Sequence, residues 1–545
     1  MLLTILGMLQ RILTCFFFSI IIAAFYQCAR RGNPTGGPKD LDPPVLIKAE
    51  PENMSVNFSD TKIRLYFDEY VKLKDVQEQL IVSPPLKYTP LLSPQGSASK
   101  YVEIKIKDTL KENTTYTFNF GESIVDNNEG NPNRFLTYVF STGSYIDSLE
   151  ITGVIKDAFN KDSEEFVSVM LYEIDSTYND STIFKRPPNY ITNTLDSTII
   201  FNLRNLKKGK YALFALKDEA KNNIFDQNTD KIGFIKDTVI VPTDSIFLLN
   251  LFKEVPDFSM SLPSLTAKNK ITFGYYGDGN DIEIDAISKI PDSVISTYKK
   301  EYKKDSINFW FTPFEMDSLL FLAKNNTFKT IDTFKIKNRK LELDSLKLIA
   351  NYSGGIDFNQ IFEIASNTPI IKTDTSKIKI INKDSLAVKH SITTDTLKNS
   401  VVFSFDKEPN ESYQIDLFPG AITDFFNTSN DTLSFNLQTK GYADYGNLRL
   451  TLVGNSLTFP IIIQLTDEKG EVQREIYATE PKVFEFNNLK PSKYLARVLF
   501  DTNANKKWDT GNYLKQIQPE RVSYYPVAIE VRANWELEQT FTIID

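Results

Sequence analysis

The chain has 545 residues, too many for one hydrophobic core, and about three to five domains are expected. Hydrophobic residues make up 41% and charged residues 24%, which indicates globular rather than disordered material. The net charge of −8 argues against a nucleic acid as partner, because phosphate binding needs a concentrated basic surface.

The supply of reactive side chains is small. There is one histidine, His390, and there are two cysteines, Cys15 and Cys28. If an N-terminal leader containing Cys15 is removed, one cysteine remains. With so few cysteines and histidines, disulfides, CxxC zinc sites and a Cys–His dyad are excluded. His390 lies in an alternating segment, and we expect it to be a half-exposed strand residue. We therefore expect no enzymatic activity.

The first 27 residues have the pattern of a secretory signal peptide. Arg11 precedes an apolar run of about 15 residues, which is short for a membrane-spanning helix of about 20. The alternative is a single N-terminal anchor helix. The run ends at Gln27-Cys28, and a Gly/Pro-rich stretch follows. This arrangement resembles a bacterial lipoprotein signal, although Phe25, Tyr26 and Gln27 replace the usual Leu and small residues.

The lipoprotein resemblance implies cleavage before Cys28 and lipidation of this cysteine. Several acyl chains give stable membrane anchoring, where a single chain is marginal. Residues 28–43 are then a tether, because their Gly and Pro prevent a helix. The implied partner is the outer membrane, contacted through the N-terminal lipid.

Residues 44–145 alternate in the manner of strands separated by turns, as in "KIRLYFDEYVKL", residues 62–73. The stretches "LYFDEYV", "LKENTTYTFNF", "IVDNNEGNP" and "FSTG" resemble the surface-layer-type bacterial Ig-like domain. Together with "GGPKD" upstream, they resemble Ig-like outer-membrane lipoproteins of Bacteroidota. The resemblance implies an antiparallel β-sandwich.

An internal repeat links residues 146–252 to residues 442–545. The segment "FNLRNLKKGKYALFALKDEAKNNIFD", residues 201–226, aligns without gaps with "FEFNNLKPSKYLARVLFDTNANKKWD", residues 484–509. Both copies resemble the carboxypeptidase-regulatory, prealbumin-like sandwich, in which Tyr211 and Tyr494 are core positions.

A weaker similarity links "YTFNFGESIVD" in the first sandwich to "YQIDLFPGAITD", residues 413–424, which predicts a second Ig-like sandwich over residues 351–441. Residues 253–350 are a β-rich linking domain, with a short helix predicted at "FEMDSLLFLAKN", residues 314–325. The predicted fold is therefore all-β: tandem antiparallel β-sandwiches of Ig-like and prealbumin-like type.

One loop has spacing that fits a cation. In "DTNANKKWDTGNY" the oxygen-bearing side chains fall at positions one, three, five and nine of an EF-hand-like loop, which suggests calcium. These candidate metal ligands are Asp501, Asn503, Asn505 and Asp509. Lys506 replaces the usual Gly, and Asn512 replaces the bidentate Glu. The alternative is an Asx-rich turn whose side chains cap their own backbone.

These patterns predict a non-catalytic, lipid-anchored outer-membrane protein on the cell-surface or periplasmic face. The first hypothesis is a structural or interaction subunit that binds an outer-membrane β-barrel or other lipoproteins. By analogy, the assembly is one for β-barrel biogenesis or secretion. The alternative is a surface glycan-binding lipoprotein, for which the exposed-aromatic candidates are Trp310, Trp508 and Trp535.

Overall fold

The computed structural model describes residues 40–134, 136–194 and 199–543. Cys28, the leader and most of the tether lie outside these residues. The regular secondary structure of the described residues is almost entirely β-strand, with one four-residue helix, α1 (Val76–Gln79), and short 3₁₀ turns. No helix in these residues is long and apolar enough to cross a membrane.

The contacts divide the chain into two compact units. Unit 1 runs to Leu80 and includes Tyr88–Thr109 and Asn119–Tyr138. Unit 2 consists of Ile81–Lys87, Leu110–Phe118 and the chain from Val139 onward.

The N-terminal strands form two sheets, one in the order β1-β2-β5-β4 with β7 on β2, the other in the order β3-β6-β8. Along β2, every second residue from Ile63 to Phe67 is buried, which is the period-two pattern predicted for this segment. The strands are β1 (Leu46–Glu50), β2 (Lys62–Leu73), β3 (Ile81–Ser83), β4 (Leu91–Ser93), β5 (Ser99–Lys105), β6 (Thr115–Asn119), β7 (Ile124–Asp126) and β8 (Thr137–Ser141).

The next eight strands, which we call repeat 1, form the sheets β12-β9-β16 and β11-β10-β13-β14, with β15 on β13. Their buried aliphatic and aromatic side chains make one core. The strands are β9 (Leu149–Asp157), β10 (Ser168–Glu173), β11 (Tyr190–Asn193), β12 (Ile200–Leu206), β13 (Gly209–Lys217), β14 (Lys231–Phe234), β15 (Val239–Val241) and β16 (Ile246–Leu251).

The linking region is also built of strands, in the sheets β17-β19-β22-β21, with β18 on β19, and β20-β23-β24. The helix predicted within residues 314–325 is wrong: Ser318–Asn325 is a strand. Leu319, Phe321 and Ala323 are buried on one face of it, and a hairpin pairs it with the following strand. The strands are β17 (Ser259–Met260), β18 (Ser264–Ala267), β19 (Lys270–Tyr276), β20 (Ile282–Ala286), β21 (Ser296–Lys300), β22 (Ser306–Phe311), β23 (Ser318–Asn325) and β24 (Thr330–Lys337).

The following ten strands reproduce the pairing of the N-terminal sheets: β25-β27-β31-β30 corresponds to β1-β2-β5-β4, and β34-β32-β29 to β8-β6-β3. The strands are β25 (Leu348–Ala350), β26 (Gly354–Gly355), β27 (Phe362–Ser366), β28 (Ile370–Thr373), β29 (Ile378–Asn382), β30 (His390–Asp395), β31 (Ser400–Phe405), β32 (Ser412–Leu417), β33 (Ile422–Asp424) and β34 (Leu433–Gln438).

The same tyrosine hydrogen bond occurs in both regions. The Tyr116 hydroxyl accepts a hydrogen bond from the backbone N–H of Lys111 at 2.9 Å, and the Tyr413 hydroxyl accepts one from Glu408 at 2.7 Å. Each bond spans five residues, so the weak sequence similarity between these regions corresponds to a shared local structure.

The last eight strands, repeat 2, form β38-β35-β42 and β37-β36-β39-β40, with β41 on β39. This is the strand order of repeat 1, including a parallel pair of first and last strands. The strands are β35 (Gly446–Val453), β36 (Ile461–Thr466), β37 (Val472–Ala478), β38 (Val483–Leu489), β39 (Ser492–Phe500), β40 (Val522–Tyr524), β41 (Ile529–Val531) and β42 (Glu536–Thr542).

The two tyrosines predicted as core positions are buried, which confirms that interpretation. Tyr211 is 1% exposed and Tyr494 is 5% exposed. Each hydroxyl donates to the backbone carbonyl four residues earlier, that of Lys207 at 3.0 Å and that of Lys490 at 2.9 Å. The chain is an all-β, multidomain protein.

Candidate functional site: the Asp501 loop and the contact between the repeats

The loop predicted as a calcium site connects β39 to β40. Asp501, the first predicted ligand, is fully buried, and both its carboxylate oxygens accept backbone N–H groups: Oδ1 from Asn505 at 3.0 Å and Oδ2 from Lys506 at 2.8 Å. Asn503 Oδ1 accepts the backbone N–H of Asn505 at 3.1 Å. These are the hydrogen bonds of an Asx-rich turn.

The fourth predicted ligand, Asp509, is held by side-chain donors. Its Oδ2 accepts the amide groups of Asn503 and Asn505, each at 2.5 Å. Burial opposes ionisation of Asp509, but these amide donors outweigh it and lower the pKa of the carboxyl. The structure thus brings Asn503, Asn505 and Asp509 together. Among the described residues, no group of three or more His, Cys, Asp or Glu side chains is placed to hold a metal ion. Calcium binding stays a prediction.

Each repeat closes this loop with one acidic side chain. In repeat 1, Asp230 accepts the backbone N–H groups of Glu219 at 3.1 Å and Asp226 at 2.9 Å. In repeat 2, the corresponding N–H groups of Thr502 and Asp509 bond to Glu520 at 2.6 Å and 3.0 Å. Asp230 and Glu520 therefore accept equivalent hydrogen bonds, although the ungapped alignment of the two repeats does not place them at the same position.

The displacement of the closing carboxylate reveals an insertion. Three residues separate Asp226 from Asp230, whereas residues 510–519 separate Asp509 from Glu520, so repeat 2 carries seven more. The strand registers agree, since Phe214 pairs with Phe234 but the corresponding Arg497 pairs with Tyr524. We call residues 510–519 the insertion loop.

The insertion loop places Tyr513 in an aromatic cluster of repeat 1. The Tyr513 ring centroid lies 5.1 Å from that of Phe214, 5.3 Å from that of Phe234 and 6.4 Å from that of Phe184. Tyr513 is 3% exposed. Edge-to-face contacts of this kind add stability beyond the area that the rings bury.

Hydrogen bonds fix the loop on both sides of Tyr513. The backbone N–H of Tyr513 donates to the Glu254 carboxylate, and the Thr510 hydroxyl donates to the Lys253 carbonyl at 2.6 Å. Gln518 Nε2 donates to the Phe234 carbonyl at 2.9 Å. A Cβ on Gly511 would lie 2.6 Å from the Phe252 ring, so the close approach requires glycine here.

A second contact runs in the opposite direction, from repeat 1 to repeat 2. The Phe159 ring packs against Trp508, with ring centroids 4.8 Å apart. The Arg497 guanidinium lies 4.4 Å from the centroid of the Phe159 ring. The Tyr524 hydroxyl donates to the Phe159 carbonyl at 2.8 Å. Each repeat therefore packs an aromatic side chain against the other: Tyr513 of repeat 2 against repeat 1, and Phe159 of repeat 1 against repeat 2.

Glu254 is the buried charge at this contact. It is 3% exposed, and its Oε2 accepts Gln227 Nε2 at 2.7 Å. Burial raises the pKa of Glu254, and the bonds from Tyr513 and Gln227 only partly oppose that shift. Burial likewise raises the pKa of the Tyr513 hydroxyl above its ordinary value.

The remaining candidates have different environments. Cys28 lies outside the described residues, and His390 is exposed at the start of β30. Trp310 is only 4% exposed, and Trp508 is part of the contact between the repeats. Trp535 is 43% exposed, with the Arg532 guanidinium 4.9 Å from its ring centroid.

The contact between the repeats has no local signature in the sequence. Tyr513 and Glu254 are 259 positions apart, and no local pattern connects residues at that separation. The signal for the insertion lies just beyond residue 509, because β14 and β40 align only after seven residues of repeat 2 are skipped.

A family model, the bacterial Ig-like domain, matches residues 40–142. No curated protein matches this chain. Among solved structures, the surface layer protein SbsC, domains 1–6, is 12% identical with a TM-score of 0.16 and covers 89% of this chain and 67% of its own.

Two other solved structures give similar values. The Bacteroides ovatus mixed-linkage glucan utilization locus protein SGBP-B, in complex with a mixed-linkage heptasaccharide, is 10% identical with a TM-score of 0.16, covering 71% of this chain and 92% of its own. The Bacillus anthracis TIE protein is 11% identical with a TM-score of 0.13, covering 94% and 75%. At these TM-scores the similarities add nothing to the description of the site.

Proposed function

We propose that this protein is a non-catalytic, lipid-anchored outer-membrane protein of Bacteroidota type, which acts as a structural or interaction subunit of an outer-membrane protein assembly. Assemblies for β-barrel biogenesis or secretion are the class that the sequence analogy favours. The partner is then an outer-membrane β-barrel or another lipoprotein. The cell-surface setting is consistent with the Ig-like match over residues 40–142.

The membrane attachment rests on Cys28. We expect cells fed an alkyne-labelled fatty acid to label the wild-type chain, and Cys28→Ser to abolish the label and release the chain from the membrane fraction. Cys15→Ser is the matched control, because Cys15 lies in the segment that cleavage removes. Labelling that persists in Cys28→Ser would exclude this attachment site.

One observation carries the scaffold role: Tyr513 of repeat 2 is buried in the aromatic cluster of repeat 1. This contact joins segments that a linking region and a second sandwich separate in sequence. A chain tied to itself in this way keeps its exposed loops and edges in fixed positions within unit 2. Because these loops and edges are already ordered, less conformational entropy is lost when a partner binds.

Co-purification tests the subunit role. The tagged full chain is extracted with a mild detergent, purified, and its companions are quantified by mass spectrometry. We expect a β-barrel protein or a lipoprotein at a stoichiometric ratio, and its loss from the Cys28→Ser variant. If wild type purifies without such a companion, the subunit role is rejected.

A surface glycan-binding protein is the second candidate, and one observation favours it. Unit 1 exposes Tyr70 and Tyr101, which are 56% and 41% solvent-accessible. The tryptophans proposed from sequence support it less, since Trp310 is buried and Trp508 lies between the repeats. Binding of the full chain on a glycan array would favour this function, and a blank array would remove it.

A further inference from the structure

One face of the β1-β2-β5 sheet in unit 1 has an unusual composition. The residues that point away from the core carry charge or a phenol ring, and we call them the tyrosine face: Lys48, Glu50, Lys62, Arg64, Tyr66, Tyr101, Glu103 and Lys105. The strand registers arrange them in three rows, because alternate residues of paired strands share a face.

The first row places two tyrosines side by side. Tyr66 is directly opposite Tyr101, and their ring centroids are 5.8 Å apart. The Arg64 guanidinium lies 5.5 Å from the Tyr101 centroid. Beyond the end of the row, Lys100 Nζ lies 5.7 Å from the centroid of Tyr70, which is 56% exposed. The rings of Tyr101 and Tyr70 are exposed and have cations beside them, and Tyr66 is half-buried between its neighbours.

The second row contains Arg64 between two carboxylates, and the third row consists of two lysines. Arg64 bonds to Glu103 at 2.9 Å, and the hydrogen bond from Arg64 together with the charges of Lys62 and Lys105 lowers the pKa of Glu103. Lys62 lies directly opposite Lys105. Like charges facing each other across two strands are destabilising, so stability of the sheet does not account for this pair.

The second Ig-like region is an internal comparison for this face. Its β25-β27-β31-β30 sheet has the same strand pairing. The outward residues of the three corresponding strands, β25, β27 and β31, are mostly small or neutral: Ile349, Glu363, Ala365, Val402 and Ser404. The fold therefore does not require tyrosines or lysines at these positions, and their presence in unit 1 points to binding.

We propose that the tyrosine face binds an acidic polysaccharide, a polymer of sugar rings that carry carboxylates at intervals. Charge complementarity selects an anion, because Lys48 and Arg64 pair with the two carboxylates of the face, Glu50 and Glu103, and this leaves Lys62 and Lys105 as its net positive charge. The chain as a whole has a net charge of −8. The exposed Tyr rings offer flat apolar surfaces for the faces of sugar rings, with polar groups at their edges.

The two carboxylates select the kind of anion. Glu50 accepts the Tyr66 hydroxyl at 2.9 Å, and Glu103 stays between the cations. A dense polyanion would be repelled by them, whereas sugar hydroxyls can donate to carboxylate oxygens. The proposal rests on the glycan-binding candidate and does not depend on the subunit role, because it involves only residues of unit 1.

The test uses affinity electrophoresis of the full chain in gels containing polygalacturonate. Highly methyl-esterified polygalacturonate is the matched control polymer, since it keeps the sugar backbone and removes the charge. We expect retardation by the acidic polymer that weakens as salt increases, and at least tenfold weaker binding to the esterified one. Equal retardation by both polymers, or by neither, would overturn the proposal.

Variants separate this face from general charge. K62Q/K105Q should weaken binding at least tenfold while the melting temperature stays the same or rises, because a repulsive pair is removed. K335Q/K337Q, on the exposed side of β24, changes the net charge equally and should bind like wild type. Tyr101→Ala should also weaken binding, and Tyr101→Phe should retain it. If K62Q/K105Q and K335Q/K337Q weaken binding equally, the tyrosine face is not the specific binding site.

A membrane surface is the competing occupant. Vesicles of phosphatidylglycerol, with phosphatidylcholine vesicles as the neutral control, are tested by co-sedimentation with the same variants. We expect the K62Q/K105Q substitutions to leave vesicle binding unchanged. Vesicle binding that requires Lys62 and Lys105, without retardation by polygalacturonate, would replace the polysaccharide with a lipid surface.

Discussion

The backbone N–H of Tyr513 donates a hydrogen bond to the carboxylate of Glu254, a residue 259 positions earlier in the chain. Glu254 follows the last strand of repeat 1, and Tyr513 lies in the insertion loop of repeat 2. Both side chains are buried. The repeat that carries the insertion thus binds the repeat that lacks it.

Truncating Tyr513 should weaken the contact between the repeats. We expect Tyr513→Ala to destabilise the chain by about 3–5 kcal/mol, the usual cost of removing a buried aromatic ring. Urea unfolding followed by tryptophan fluorescence measures this, since Trp508 lies at the contact. The adjacent Leu514 is 53% exposed, and Leu514→Ala should change stability by less than about 0.5 kcal/mol. Similar effects of both substitutions would argue against the buried ring.

Glu254 should give stability a dependence on pH. Burial raises the pKa of Glu254 in the folded chain, so the folded state holds this proton more tightly than the unfolded state. The stabilisation of the folded state that comes from this proton is complete below the ordinary glutamate pKa of about 4.3. It is lost as pH rises through the raised pKa of Glu254. Glu254→Gln removes the titration, so the stability of the variant relative to wild type should increase between pH 4 and pH 7. Parallel pH curves would contradict the raised pKa.

An irregularity near the end of one strand in each repeat, β12 and β38, allows a matched comparison of two asparagines. Asn205 and Asn488 both have positive φ, 58° and 54°. Asn205 also donates to the Asp147 carbonyl at 2.8 Å and accepts the Thr117 hydroxyl at 3.0 Å, whereas the bond at Asn488 is made by its backbone N–H. Asn205→Gly should therefore cost about 1–2 kcal/mol more than Asn488→Gly in chemical unfolding. Equal costs would show that backbone conformation alone matters at both sites.

Calcium should have little effect on stability if the Asp501 loop holds itself by hydrogen bonds. Both carboxylate oxygens of Asp501 already accept backbone N–H groups. We expect the melting temperature to be the same in calcium and in a chelator, with magnesium as control. A cation at a hundred times its Kd would stabilise the folded state by about 2.7 kcal/mol. A calcium-specific rise in melting temperature that Asp509→Asn removes would restore the metal site.

Local patterns in the sequence predicted much of the fold. The alternation in "KIRLYFDEYVKL" corresponds to β2, and the aligned Tyr211 and Tyr494 occupy the same core position. These features depend on residues close together in the chain or on a repeated motif. The helix prediction at residues 314–325 is wrong because a short apolar run fits a helix and a buried strand equally well, and here it forms the strand β23.

The sequence did not reveal the side-chain arrangements that support the proposals. The Tyr513 contact depends on how two repeats pack, and packing of distant segments leaves no period in the sequence. The tyrosine face depends on the strand register, which places Lys62 opposite Lys105 and Tyr66 opposite Tyr101. Each strand alone, with alternating charged and apolar residues, has the pattern of an ordinary strand with one solvated face.

Amide hydrogen exchange of the insertion loop tests the central claim, that repeat 2 is bound to repeat 1 through Tyr513. Peptides covering residues 510–518 are compared with the exposed turn at residues 467–471. We predict that the loop peptides exchange as slowly as those of β39, and that Tyr513→Ala raises their exchange to the rate of the turn. Exchange of the wild-type loop as fast as that of the turn would contradict the contact between the repeats.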